Sequence, residues 1–371
     1  MRIGIDGREL LGQRTGVGHY LAALCTEWLE APDHGHHLVV YTPEGTDEPS
    51  SLGPPFAGRK DSSFTHRAIR GRSSVWWEQL HLARVANRDT LDVFFAPAYS
   101  APLRLSIPYV VTMHDVSFAA HPEWYRPREG ARRRWLAAQS MARAQAVITD
   151  SEFSRDEIVR LFDVARDRVH VVRLGVQQRE SIATDTNLTQ PLVLYAGSIF
   201  NRRHLPTLIR AFAKVVQLVP DAELAVVGAN RTYPPEDLAA LVRGCGIGDR
   251  VSLLSYVPDE ALDTLYCRAK VFVFLSEYEG FGLPPLEAMA ASVPVIVGDT
   301  AVAREIYGDA ALRVPPADTT ATANAIIRLL DDDALRARQL EAAAALLPAF
   351  DWGGAARKTL SVMETAVGKT S

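Results

Sequence analysis

Short apolar runs that alternate with amphipathic stretches, twice over, constrain this chain more than any other feature. In the first half the runs are Arg2–Asp6, His37–Tyr41, Asp92–Phe95, Tyr109–Met113, Ala146–Thr149 and Val169–Val172. Helical spacing appears between them at Gly18–Leu29, Val75–Ala86, Ala131–Ala142 and Phe153–Leu161. The second half restarts the pattern with Leu192–Tyr195, Glu223–Val227, Val251–Leu254, Val271–Leu275, Pro294–Val297 and Ala311–Val314. Its helical stretches include Leu205–Val219, Pro258–Cys267 and Leu283–Ala290. Apolar runs this short predict strands buried on both faces between crossover helices, which is the signature of parallel, doubly wound α/β sheets.

A length of 371 residues exceeds what one hydrophobic core usually serves. The polar, aperiodic segment Gln177–Gln190 reads as a linker. The chain therefore divides into a Rossmann-like domain over 1–176, the linker over 177–190, a second Rossmann-like domain over 191–348 and a terminal segment over 349–371. Ligands of doubly wound sheets bind beyond the carboxyl ends of the strands. Two such domains facing each other make the cleft between them the expected site.

A formal net charge of −4 argues against a general nucleic-acid binder. Cys25, Cys245 and Cys267 show no paired spacing for disulfides or metal, which fits a reducing, cytoplasmic compartment. No apolar run reaches the roughly 18 residues of a spanning helix. The run Asp331-Asp332-Asp333 reads as a solvated helix start, and no metal site is expected.

The most informative segment is Ser276–Ala291, SEYEGFGLPPLEAMAA. A buried strand runs into the loop Glu279-Gly280-Phe281-Gly282, and a helix opens around Leu283 and Pro284, where proline suits the first turn. Glycines let backbone N–H groups approach a ligand, and a helix start is positive. Together they form an anion site beside two carboxylates, Glu279 and Glu287. The alternative is an ordinary strand-to-helix turn with both carboxylates in solvent.

This segment resembles the Glu-x7-Glu motif of the retaining glycosyltransferases of family 4, which have the GT-B fold, and the resemblance extends over nearly the whole chain. Ala196-Gly197-Ser198-Ile199-Phe200-Asn201-Arg202-Arg203-His204-Leu205 is similar to that family's phosphate-gripping segment, with Arg202-Arg203 in place of its usual Arg-Lys. His114-Asp115 resembles the His-Asp of the mannosyltransferase-like branch, and GQRTGVGHY its glycine-rich loop. Phe350-Asp351-Trp352 and the helix after it are similar to the segment that crosses back to the first domain. Arg173-Leu174 replaces the usual Pro-Asn, Ser255 and Ser292 replace glycines, and His204 stands where Asn is common.

The resemblance implies a hexosyltransferase that retains anomeric configuration. It implies a nucleotide-diphosphate sugar as co-substrate, with no other cofactor. Its branch points to mannose from GDP-mannose and a glycan or lipid-linked acceptor. The catalytic set it implies is His114, Glu279, Arg202 and Arg203. Glu279 would bind hydroxyls of the transferred sugar and Glu287 the ribose, while the arginines stabilise the departing diphosphate. Basic residues at a helix start oppose its dipole, which an anionic ligand explains. Donor contacts would also come from Gly16, Gly197, Ser198, Gly280, Phe281, Gly282 and Leu283, with Tyr256 and Val257 near the base. Asp115 and Gly18 would lie on the acceptor side. His114 is otherwise a packed turn residue, and Gly16-Val17-Gly18 a simple turn into a helix.

Two stretches mix arginine with aromatics, HRAIRGRSSVWW over His66–Trp77 and WYRPREGARRRW over Trp124–Trp135. They read either as a surface for peripheral docking at the inner face of a membrane or as inward-packed tryptophans with solvated arginines. Other functions compatible with two such domains are UDP-sugar-dependent glucosyl or N-acetylglucosaminyl transfer, a sugar-nucleotide epimerase and a non-catalytic nucleotide-sugar binder. An NAD enzyme fits less well, because no Gly-x-Gly-x-x-Gly follows the first strand.

Overall fold

Four- and five-residue apolar strands lose all contact with water only when both faces of their sheet are covered, and central strands of both sheets meet that condition. The computed structural model describes residues 1–12, 16–31, 35–44, 52–57, 63–177 and 190–368. The first sheet is built from β1 (Arg2–Asp6), β2 (His37–Pro43), β3 (Phe64–Ile69), β4 (Val93–Ala96), β5 (Tyr109–Thr112), β6 (Ala146–Thr149) and β7 (Val169–Val171). Its order is β3-β2-β1-β4-β5-β6-β7, and all its pairings are parallel. Every residue of β4, β5 and β6 is buried.

The second sheet comprises β8 (Leu192–Ala196), β9 (Glu223–Val227), β10 (Val251–Leu254), β11 (Ala269–Phe274), β12 (Val295–Gly298) and β13 (Ala311–Val314). Its order is β10-β9-β8-β11-β12-β13, again parallel throughout. The order reverses between β1 and β4 in one sheet and between β8 and β11 in the other. The carboxyl ends of these strands are the topological switch points where doubly wound sheets bind ligands.

The chain forms two compact units. One holds Met1–Ala120, Pro127–Gly175 and the chain from Trp352 on; the other holds His121–Arg126 and Val176–Asp351. In the first unit the C-terminal helix Trp352–Gly368 packs against the helix Gly16–Glu30, where the Trp28 indole donates to the Ala356 carbonyl at 3.0 Å. Residues 178–189 of the expected linker lie outside the described residues.

Sequence reading missed β3. Only Ile69 of this strand is buried, because it pairs on one side alone, with β2 at the sheet edge. It overlaps the start of the first basic-aromatic stretch, which the structure divides. Trp77 is buried and its indole donates to the Ile69 carbonyl at 3.1 Å, whereas Trp76 is 74% exposed. Asp332 accepts the amide of Leu335 at 2.8 Å and caps the helix Asp333–Leu346, as its acidic run suggested.

Candidate active site

At the switch point of the second sheet, β8 and β11 each end in a loop that enters a helix. After β8 the chain turns through Gly197 and Ser198, makes a 3-10 turn at Asn201–Arg203, and enters the helix Leu205–Leu218 through His204. Gly197 has φ +133°, and a Cβ there would lie 2.9 Å from Arg203 Nη1. Glycine at this position lets the Arg203 side chain cross the loop and donate to the Ser198 carbonyl at 2.6 Å. After β11 the chain passes through buried Ser276 and reaches Gly282, with φ +87°, which caps the helix Leu283–Ala290. A Cβ at Gly282 would collide with the Tyr307 hydroxyl, which donates to the Phe281 and Gly282 carbonyls. Pro284 and Pro285 lack N–H groups, so the donors that this first turn leaves over are the amides of Gly282 and Leu283.

The two loops meet at Glu279. Its Oε1 accepts from Arg203 Nε at 2.7 Å and from the Ser276 hydroxyl at 2.9 Å, with Arg202 Nε at 4.0 Å. All these contacts fall on Oε1 and none on Oε2. Burial by itself would raise the Glu279 carboxyl, but Arg203, Arg202 and the hydrogen bonds from Arg203 and Ser276 outweigh it and hold it below its ordinary value. Burial likewise acts against the Arg203 charge, and Glu279 with the Tyr195 hydroxyl outweighs it, keeping the guanidinium firmly protonated. Both arginines are nearly enclosed, Arg202 at 7% exposure, so they do not form a solvent-exposed basic edge of the helix that follows. Arg202 faces the Phe200 ring at 4.4 Å, and Arg203 faces Phe274 at 4.7 Å.

Around this cluster Gly280 and Phe281 are buried, and Phe281 packs edge-on against Phe350. Glu287, half-buried on the same helix, accepts from the Tyr266 hydroxyl at 3.1 Å. Beyond β9 and β10 lies a cavity of about 230 Å³, lined among others by Ile199, Gly228, Asn230, Glu236 and Ser255. Tyr256 and Val257 follow Ser255, with Tyr256 60% exposed.

In the first unit His114 follows β5. Its Nδ1 lies 2.8 Å from Asp150 Oδ2 and its Nε2 2.9 Å from the Pro97 carbonyl. Both partners are acceptors, so both ring nitrogens carry protons. Burial opposes the imidazolium, but Asp150 and the Pro97 carbonyl prevail and raise the His114 pKa above its ordinary value. The rings of Tyr20 and Tyr99 pack edge-on against it at 4.8 and 5.8 Å. The structure thus gives His114 the packed, hydrogen-bonded setting, with neither nitrogen available to accept a proton. Asp115 does not orient it. Its Oδ1 caps the turn at Ser117, accepting from that amide at 2.8 Å and hydroxyl at 2.6 Å. Asp150, at the carboxyl end of β6, is the orienting carboxylate that sequence reading missed. Gly16 opens the helix Gly16–Glu30, and a Cβ at that position would meet nothing within 4 Å; Gly18 is buried two residues on. Residues 13–15 of the glycine-rich loop lie outside the described residues.

Ser276, Tyr195, Tyr307 and Trp124 are further members of the second unit's cluster to which sequence reading gave no individual role. Only Ser276, three residues before Glu279 at a strand end, carried a visible signal. Among the described residues no group of three or more His, Cys, Asp or Glu side chains could hold a metal ion. Nor is any described helix long and apolar enough to cross a membrane.

Residues 14–179 match the family described as Glycosyltransferase Family 4, and residues 176–345 match Glycosyl transferases group 1. The chain is 31% identical over 314 residues to O-antigen chain mannosyltransferase B of Escherichia coli, covering 80% of this chain and 78% of that one. It is 28% identical to the MMP alpha-(1->4)-mannosyltransferase of Mycolicibacterium hassiacum, over 72% and 68% of the two chains. Among solved structures, a sucrose-phosphate synthase from Thermosynechococcus elongatus superposes with a TM-score of 0.76 at 21% identity over the full length of both chains. The glycosyltransferase WaaG superposes with a TM-score of 0.73 at 18% identity, over 98% and 99% of the two chains, so the two sheets belong to the GT-B architecture. The chain is a glycosyltransferase of family 4.

Proposed function

We propose that this enzyme transfers mannose from GDP-mannose to a glycan or lipid-linked acceptor, with retention of configuration. The observation that carries the donor reading is the Glu279–Arg203–Arg202 cluster at the switch point of the second sheet. Two arginines beside the backbone donors of a helix start suit a diphosphate, whose negative charge grows as the sugar–phosphate bond breaks. Glu279 Oε2, which takes none of the internal hydrogen bonds, is left to accept from sugar hydroxyls. Glu287, steadied by Tyr266, suits the ribose hydroxyls, and the cavity beside Ser255 and Tyr256 suits the base. Both carboxylates belong to one loop and helix, on the donor side. That arrangement favours a front-face reaction, in which the leaving phosphate helps to deprotonate the acceptor hydroxyl. The identity of the sugar rests on the mannosyltransferases among the relatives.

His114 serves this reaction as a fixed positive charge and hydrogen-bonded wall of the acceptor side, because its ring nitrogens are both occupied. The acceptor side of the first unit also carries a basic, aromatic helix. Arg128, Arg132 and Trp135 stand at spacings of four and three on Pro127–Arg143, and Trp135 is 56% exposed. Such a stripe suits an anionic membrane that presents a lipid-linked acceptor. Thermal shift against GDP-mannose, UDP-glucose and UDP-N-acetylglucosamine, followed by transfer assays with the stabilising donor, tests the assignment. Stabilisation by a UDP-sugar alone would refute the GDP-mannose reading.

A further inference from the structure

Between Ala120 and Pro127 the chain leaves the first unit, and His121–Arg126 packs as part of the second. Sequence reading left Trp124 either on a basic, aromatic docking surface or packed inward; its contacts lie in the second unit's cluster. The His121 ring stacks on Trp124 with centroids 3.9 Å apart and planes 13° from parallel. Tyr278, the residue before Glu279, meets His121 edge-on at 5.2 Å and Trp124 at 6.2 Å. The Trp124 ring in turn lies under the Arg202 guanidinium at 6.0 Å, and Phe200 lies under it at 4.4 Å.

An aromatic ring stabilises a guanidinium without consuming its N–H donors, which stay in the guanidinium plane for oxygen acceptors. Packing also removes rotamer freedom that a long arginine side chain would otherwise lose on binding an anion. A tryptophan held by a stacked histidine and an edge-on tyrosine is itself fixed, so its hold on Arg202 is rigid. We propose that His121–Arg126 is an aromatic strap and that Trp124 is a positioning residue for the donor. It acts through Arg202, aiming the guanidinium at the diphosphate. The proposal rests on the reading of Arg202 as a diphosphate ligand, and the experiment separates the two.

The test is calorimetry with GDP and UDP, following whichever binds tighter, on wild type, Trp124→Ala, Arg202→Ala and the double variant. Trp124→Ala should weaken the nucleoside diphosphate by about 3- to 30-fold, the span of a partly desolvated cation–π contact. The same substitution made in the Arg202→Ala background should change affinity less than about twofold, because the pair acts as one unit. Affinity for the corresponding free nucleoside should not move, and Trp124→Phe should restore most of the diphosphate affinity. If Trp124→Ala unfolds the protein, Trp124→Leu fills the position without a π face and is expected to show the same loss. Equal losses with and without Arg202, or equal losses for nucleoside and diphosphate, overturn the proposal. Arg202→Ala weak and the Trp124 variants unchanged overturns it alone. Arg202→Ala unchanged overturns the diphosphate reading and the proposal together.

Discussion

Replacing Glu279 by Gln tests the electrostatics of the donor cluster most directly. The amide keeps the shape and an acceptor for Arg203 and Ser276, but it leaves the enclosed Arg203 charge without its counter-charge. Removing one partner of a buried pair costs about 3–5 kcal/mol. The retained hydrogen bonds to Gln and to the Ser198 carbonyl reduce this to about 2–3 kcal/mol. For a unit of this size that is a fall of roughly 4–12 °C in the unfolding midpoint of the second unit. A bound diphosphate supplies the missing negative charge, so the nucleoside diphosphate should restore the variant more than it stabilises wild type. Transfer should fall by roughly one to two orders of magnitude, because Glu279 no longer offers sugar hydroxyls a charged acceptor. The pH dependence has a definite sign. A carboxyl held below its ordinary value contributes stability above that value and loses it as pH falls through the lowered one, so the difference between wild type and variant should shrink below the ordinary 4.5. Scanning calorimetry with and without nucleoside diphosphate, repeated at acidic pH, measures all of this. A variant as stable as wild type without ligand, or one with diphosphate affinity reduced as much as in Arg203→Ala, would refute the reasoning.

Four further outcomes are expected. His114→Asn should destabilise the first unit at low pH, and the gap should close as pH rises through the raised pKa of His114, because the charged form is the one the fold stabilises; thermal unfolding between about pH 5.5 and 9 checks it. Ser292 sits at φ +59°, so Ser292→Gly should raise stability by about 0.5–1 kcal/mol, read from denaturant unfolding. Arg128, Arg132 and Arg134 together changed to Ser should abolish binding to anionic vesicles at low salt, since each contact contributes about 1 kcal/mol; wild type that ignores such vesicles in a flotation assay refutes the docking surface. On the proposal that the arginine pair stabilises the charge at the diphosphate, donor turnover should survive excess EDTA, and rescue by manganese or magnesium after chelation would overturn that assignment.

The alternation of apolar runs and amphipathic stretches determined both sheets. Such runs mark strands of a covered parallel sheet, and β1, β6, β9, β10 and β13 begin and end where the sequence places them, although β10 and β13 are the edges of theirs. The edge strand β3 was not legible, because its sequence FTHRAI is largely polar and only Ile69 is buried, so it shows no apolar run. The strand-end loop with Glu279 and the paired arginines could be read from local chemistry, since glycines, prolines and charges at a strand-to-helix turn act within a few residues of one another. The family resemblance also marked His204 and Ser292 as departures from its usual Asn and Gly, and both adopt positive φ, where Asn and Gly are at less cost. Which groups pair with which came from the fold. Asp150 reaches His114 from a neighbouring strand 36 residues away, Arg203 reaches Glu279 across the β8–β11 switch point, and Trp124 reaches Arg202 from a segment that joins the second unit. Periodicity and spacing report which face of an element is buried; the partners that hold a buried charge come from other elements, and their distance is set by how the sheets order their strands.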